Sequence, residues 1–248
     1  MKHKLLIIIL LSSFASLISC KNVPLTVGKI VTQTRELQPF NEVYLNDNIS
    51  MTLVRTDTCY IEIKTGENLI DNIITEVNGG ILTISNENTI DWIRTYDYEL
   101  HATLYYKDIQ KFVFSSSGTL NTKNQSTDTT GIYQFVIDGG SGDIDMLISK
   151  CHDMRLFYRH GTSRMNIHGD NNKAISIYKM SYGIFDARDY GAEFVSITSR
   201  SRGDCYVSFS DSLVADIQEL GDVYYKGDPE SIQVTYGEHA KGRLLPLN

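Results

Sequence analysis

Glycines recur at Gly118, Gly142, Gly161, Gly183, Gly203 and Gly221, at intervals of 24, 19, 22, 20 and 18 residues, and the same pattern follows each one. The second residue after each is Leu120, Ile144, Ser163, Phe185, Cys205 or Val223, and the fourth is Thr122, Met146, Met165, Ala187, Val207 or Tyr225. These two columns are mostly apolar. Those between them are mostly polar or amphipathic: Thr119, Asp143, Thr162, Ile184, Asp204 and Asp222, then Asn121, Asp145, Arg164, Asp186, Tyr206 and Tyr224. Period-two alternation means one strand per repeat with one face inward, so Ile144, Val207 and Val223 should meet a core while Asp145 and Tyr206 meet solvent. A second alternating strand precedes the next glycine, as in Met154, Leu156, Tyr158 or Leu213, Ala215, Ile217.

A unit of about twenty residues with two short strands cannot bury its own inward face. Successive units must stack, strand over equivalent strand, into a β-solenoid. A meander of hairpins is the competing reading, but hairpins need alignment only between neighbours, whereas these columns align by position after glycine. The glycines are expected where the chain turns sharply, since glycine takes positive φ freely. Composition agrees with an all-β chain: Tyr 15 and many Thr, Ile and Val favour strands.

Upstream, strand-like runs occupy Lys29–Glu36, Glu42–Leu45, Ile49–Val54, Tyr60–Lys64, Tyr98–Tyr106 and Lys111–Ser116. Glu67–Ile73 is the best helical stretch, a turn or two long. Asn78-Gly79-Gly80 between Ile74–Val77 and Ile81–Ile84 reads as a β-hairpin. This part is expected to be an antiparallel sheet region over 28–116 that leads into solenoid repeats over 117–248, the whole of 28–248 forming one continuous domain.

The first residues carry a different message. Lys2-His3-Lys4, the apolar run Leu5–Leu11 and Leu17-Ile18-Ser19-Cys20 have the order of a bacterial lipoprotein signal. The reading is a signal peptide over 1–19, acylation of Cys20 and a tether over 20–27. Several acyl chains, at roughly 0.8 kcal/mol per buried methylene, hold such a protein firmly at a membrane. Loss of 1–19 removes Lys2 and Lys4 from a chain whose formal charge is already -7. That acidity argues against nucleic acid as a partner. The other cysteines, Cys59, Cys151 and Cys205, have no zinc-site spacing and read as lone buried thiols, with any disulfide among them left open.

The order Phe40-Asn41-Glu42-Val43, Glu67-Asn68-Leu69-Ile70-Asp71, Thr75 to Ile84, then the Ser-Gly turns and Tyr224-Tyr225-Lys226-Gly227-Asp228-Pro229 carries a family resemblance. It resembles the autotransporter-adhesin head domains called GIN, common on Bacteroidetes lipoproteins, over nearly all of 28–240. The resemblance implies a β-solenoid or β-helix-like fold and a cell-envelope location. It implies no catalytic residues.

Several motifs invite sharper readings. Asp138-Gly139-Gly140-Ser141-Gly142-Asp143-Ile144-Asp145 resembles a calcium-binding β-roll loop, but the position that should be Asp is Ile144, which faces inward. Arg202-Gly203-Asp204 spells an integrin-type tripeptide, yet its Gly-Asp half only repeats Gly142-Asp143 and Gly221-Asp222. His152, His160 and His168 are dispersed. Asp143 with Asp145, or Asp186 with Asp189, would be neighbours on a flat outward face rather than carboxyls across a cleft. No metal site, cofactor or catalytic constellation is assigned. The outward third column is more informative: Arg164, Tyr206 and Tyr224, at one offset after their glycines, should form a strip able to stack on sugars or pack against a protein.

The expected role is therefore a lipid-anchored, non-enzymatic, adhesion-like binding module of the outer membrane, with a glycan or protein partner. An enzyme acting on envelope polysaccharide and a purely structural envelope subunit are the alternatives. Lys21-Asn22-Val23-Pro24 lacks an acidic export run, which tilts toward the periplasmic face. The sequence leaves the oligomeric state open.

Overall fold

The computed structural model describes residues 26–88, 99–124 and 132–247; the signal peptide and Cys20 lie outside the described residues. In chain order the strands are β1 (Ile30–Glu36), β2 (Glu42–Asp47), β3 (Ser50–Arg55), β4 (Tyr60–Gly66), β5 (Ile73–Asn78) and β6 (Ile81–Asn86). There follow β7 (His101–Tyr106), β8 (Lys111–Ser116), β9 (Leu120–Thr122), β10 (Ile132–Asp138), β11 (Ile144–Leu147) and β12 (Asp153–His160). The last are β13 (Met165–Lys179), β14 (Phe185–Ser199), β15 (Cys205–Ile217), β16 (Val223–Lys226), β17 (Ser231–Tyr236) and β18 (Leu244–Pro246). Among the described residues no helix is long and apolar enough to cross a membrane.

Each solenoid turn has two arms, so the strands form two ladders. One runs β6, β2, β8, β10, β12 and then the second halves of β13, β14 and β15, ending at β17, all parallel. The other runs β7, β3, β9, β11 and then the first halves of β13, β14 and β15, ending at β16 and β18, also parallel. The long strands β13 to β15 bend at a corner and serve both ladders.

Among the described residues antiparallel pairing is confined to the N-terminal end, where β5 pairs with β6, and β4 lies between β1 and β7. The expected antiparallel region is thus smaller than 28–116: β2, β3, β6, β7 and β8 are already parallel turns of the solenoid. Residues 111–122 form a single turn, so nothing structural divides the chain at 116/117. The turn made by β2 and β3 comes early in the chain but stacks between that of β6 and β7 and that of β8 and β9. The expected helix is one 3-10 turn, Ile70–Asn72. The hairpin is present, with φ of 57° at Gly79 and 83° at Gly80, as a tight primed turn requires.

The inward columns form one continuous core. Ile144, Val207 and Val223 are buried in it with Met154, Leu156, Tyr158, Leu213, Ala215 and Ile217. Cys151 and Cys205 are buried free thiols and Cys59 is a half-buried one.

The repeating glycines are needed for a reason other than the expected one. Of the six, only Gly161 has positive φ, 92°. A Cβ at Gly142 would overlap the carbonyl of Gly118, one at Gly118 the backbone of Ile49 and Ser50, and one at Gly221 the carbonyl of Gly203. Corners of successive turns therefore lie backbone on backbone, with no room for a side chain. At the same corner Lys179 is wholly buried, its ammonium donating to the Ser181 carbonyl (3.1 Å), Ser201 Oγ (2.6 Å) and the Gly203 carbonyl (2.7 Å). Burial lowers its pKa, against smaller opposing effects of Cys205 and Asp204.

Candidate functional site

The outward residues of the second ladder form vertical columns whose membership follows from strand register. Pairing gives one column as Asn121, Asp145, Asn166, Asp186, Tyr206, Tyr224 and Leu245. Arg164 does not belong to it, contrary to the sequence reading. Its carbonyl accepts from Ile144 N–H (2.8 Å), as the Asp204 carbonyl does from Phe185 and the Asp222 carbonyl from Cys205, which puts Arg164 in the preceding column. Gly161 lies two residues early relative to the other corner glycines, so counting from it places Ser163 where Met165 belongs, and Arg164 where Asn166 belongs. The shift is even, which is why inward and outward residues still sort correctly.

Tyr206 and Tyr224 are neighbours as expected, with ring centroids 4.9 Å apart and planes within 11°. The faces of Tyr206 are not laid open to solvent. Tyr224 covers one face of Tyr206, and the Arg188 guanidinium lies 4.8 Å from the Tyr206 centroid on the side of the preceding turn. A sugar ring therefore finds no free face on Tyr206, and the pair works first as a stacked brace between turns. Tyr224 Oη donates to Asp222 Oδ2 at 3.3 Å.

Beside this stack the surface is concave. A cavity of about 560 Å³ is lined by Asp145, Arg164, Asn166, Ile167, His168, Asp186, Arg188 and Asp189, drawn from three successive turns. The hollow comes from the β13–β14 register, which shifts between Asn166 and His168 so that His168 pairs with Asp189. That bulge takes Asp186 and Asp189 off the flat face expected for them and turns both to one rim. Sequence reasoning singles out neither Asn166 nor Arg188. Aligning turns on the buried Met165 and Phe185 rather than on glycine would have placed Asn166.

Two of the cavity's carboxylates are paired within it. Arg188 Nε lies 2.9 and 3.1 Å from the two Asp186 carboxylate oxygens, and His168 Nδ1 lies 3.2 Å from Asp145 Oδ1. Burial alone would raise the Asp186 pKa, but hydrogen bonds from Arg188 and the charge of Arg164 outweigh it and hold the carboxyl below its usual range. A second cavity, of about 490 Å³, is lined by Arg55, Thr56, Asp57, Lys107 and Asn124. There the Asn124 amide is used up bonding both backbone groups of Arg55 (2.8 and 3.0 Å).

The tempting motifs have structural duties. Asp204 Oδ1 accepts from Asp222 N–H (3.0 Å) and Asp222 Oδ1 from Arg243 N–H (2.8 Å), so the corners at Gly203-Asp204 and Gly221-Asp222 each clip the next turn, and Arg202-Gly203-Asp204 contains one such clip. In the calcium-like loop the acids diverge, Asp138 toward Arg159 (3.9 Å) and Asp145 toward His168, while Ile144 is buried. Among the described residues no His, Cys, Asp and Glu group is arranged to hold a metal.

The fold has counterparts among solved structures. A "putative adhesin" from Bacteroides fragilis superposes with a TM-score of 0.75 at 16% identity, over 90% of this chain and 99% of that one. From Parabacteroides distasonis, a "putative adhesin" and a "putative lipid binding protein" each give a TM-score of 0.57 at 17% identity, over 89% of this chain and 98% of theirs. At such identities the likeness is one of fold. No curated protein matches the chain. Residues 39–229 match the profile of one family, and with that match over most of its length the chain belongs to the family described as "putative auto-transporter adhesin, head GIN domain".

Proposed function

We propose that this protein is a non-enzymatic, adhesion-like binding module of the bacterial cell envelope, held there by acylated Cys20, and that it binds a glycan in the cavity between Asp145 and Asp189. The carrying observation is the cavity itself: carboxylates, guanidinium groups, an amide and an imidazole converge from three turns on one shallow, open hollow. Sugar hydroxyls are donors and acceptors at once, and such a mixed lining answers both. Asp186 and Arg188 are already fixed on each other, so little order is lost on binding. The Tyr206–Tyr224 stack forms the wall beside the hollow and holds Arg188 in place.

Glycoside cleavage would instead need a carboxyl of raised pKa as acid. Asp186 is pushed the other way, below the usual carboxylate range. Family membership supports the adhesion-like class.

A glycan array and an envelope polysaccharide extract test the proposal. Arg164→Ala/Asn166→Ala should lose retention while melting almost as the parent does, because both side chains face outward. Retention equal to the parent's would place the ligand elsewhere, and release of reducing sugar by the parent would establish an enzyme.

A further inference from the structure

The two ends of the solenoid are finished differently. At the N-terminal end the link from β4 to β5 crosses between the ladders, and Leu69, Ile70 and Ile73 lie buried over the core. Arg35 of β1 reaches across that end, donating to the carbonyls of Ile70 (2.8 Å) and Ile73 and to Thr75 Oγ1 (3.1 Å). Core and end carbonyls are both covered there.

At the C-terminal end, β17 pairs with β15 and β18 with β16, and among the described residues no strand pairs with their other edges. Ile232, Val234 and Tyr236 continue the inward columns of Leu213, Ala215 and Ile217, which are at most 1% exposed, yet they are themselves 37, 40 and 50% exposed. Ser231–Tyr236 reads SIQVTY, with no charge and no proline to deter a further strand. An exposed apolar end face joined to a bare strand edge is the mark of an interaction surface.

We propose that a second copy of this chain completes it, end to end about a two-fold axis. Among the described residues the N-terminal end also has unpaired edges, on β1 and β5, but Arg35 and the Leu69–Ile73 cap leave no apolar face there to receive Ile232, Val234 and Tyr236, so head-to-tail stacking would leave the C-terminal face without an apolar partner. Two C-terminal ends are alike and self-complementary. With β17 antiparallel to its counterpart about Val234, Ile232 faces the partner's Tyr236, and the inward column continues across the seam while Gln233 and Thr235 stay outward. A six-residue strand is about 20 Å long and the sheets lie about 10 Å apart, so with outward side chains each end covers on the order of 500 Å². Two such ends bury roughly 1,000 Å², the lower bound for a specific interface.

Sedimentation of the purified chain over a concentration series should show monomer passing to dimer. Val234→Lys should weaken the dimer by at least about 100-fold, because two unpaired ammonium groups would meet at the axis. A second variant covers the case in which Val234→Lys does not fold: Val234→Cys should give an oxidised, covalently linked dimer, whereas Met180→Cys, exposed at a distant corner, should not. A chain that stays monomeric throughout overturns the proposal. So does a dimer indifferent to Val234→Lys, or equal cross-linking at positions 234 and 180.

Discussion

Replacing Gly142 by alanine isolates what corner glycines do. The φ of Gly142 is not positive, so alanine meets no penalty from backbone conformation; its Cβ meets the Gly118 carbonyl and the Ser117 backbone. Backbone cannot swing aside as a side chain would, so the corner must lift. Three hydrogen bonds go with it: Ser141 N–H and Gly142 N–H to the Ser116 carbonyl, and Leu120 N–H to the Asp143 carbonyl. At about 1 kcal/mol each, the loss is about 3 kcal/mol. Gly139, three residues away in the same turn, is the control: a Cβ there would sit 3.8 Å from Ser115 Cβ, an ordinary contact. Gly139→Ala should fall within about 0.5 kcal/mol of the parent or gain slightly from a less flexible unfolded chain. Gly142→Asn separates the two explanations, since asparagine relieves a left-handed backbone but not an overlap; it should be at least as harmful as alanine. Urea titration reads all three. Equal midpoints for Gly139→Ala and Gly142→Ala, or recovery with asparagine, would refute the argument from close stacking.

Val207→Asp should cost about 3–5 kcal/mol in the same titration, as an unpaired charge in the core, whereas Asp145→Asn, which loses only an exposed contact with His168, should cost under about 1 kcal/mol. Because its pKa is depressed in the fold, Asp186 contributes stability that is complete above the ordinary value of 3.8 and is lost as pH falls below it. Asp186→Asn should flatten that part of a melting-temperature profile taken from pH 5 to 2. Burial pushes the Cys205 thiol up from 9.0 to about 11, so its contribution is whole below pH 9 and disappears toward pH 11. Cys205→Ala should remove that alkaline decline, which a steep loss at unchanged pH would contradict. Cys20→Ala should abolish incorporation of a fatty-acid analogue during growth, and label retained on the variant would exclude the anchor.

Which face each residue takes was legible in the sequence, and its exact neighbour was not. Ile144, Val207 and Val223 point inward under any even slip of register, so alternation alone places them. Arg164 shows the cost of counting from a glycine: Gly161 has its own left-handed turn and sits two residues out of step. The adjacency of Tyr206 and Tyr224 follows from spacing, but the guanidinium over the Tyr206 ring belongs to Arg188, which lies on the preceding turn and is paired with Asp186. The hollow itself arises where β14 carries one extra residue between Asp186 and Asp189, and its trace in the sequence is a single break of alternation, Phe185 and Ala187 followed by Tyr190, which counting from glycines passes over. The reach of Arg35 over the N-terminal end is likewise a matter of tertiary contact, since nothing local distinguishes it from any other strand arginine.

The displaced turn of β2 and β3 also decides how the protein bears load. Tension entering at the N-terminal end, where a membrane tether would apply it, first meets β1, held on one side by β4. Next in line is β2, which is clamped on both edges, by β6 and by β8, with Lys111 also gripping Glu42 (2.9 Å) and the Tyr44 hydroxyl (2.9 Å) across 69 and 67 residues of chain. The following strand, β3, is held in the same way by β7 and β9. A solenoid threaded in simple order would peel turn by turn from its pulled end, breaking a single ladder at a time. Here the second segment to be drawn out lies beneath a turn made later in the chain, so its pairings on both edges must yield together rather than one after the other.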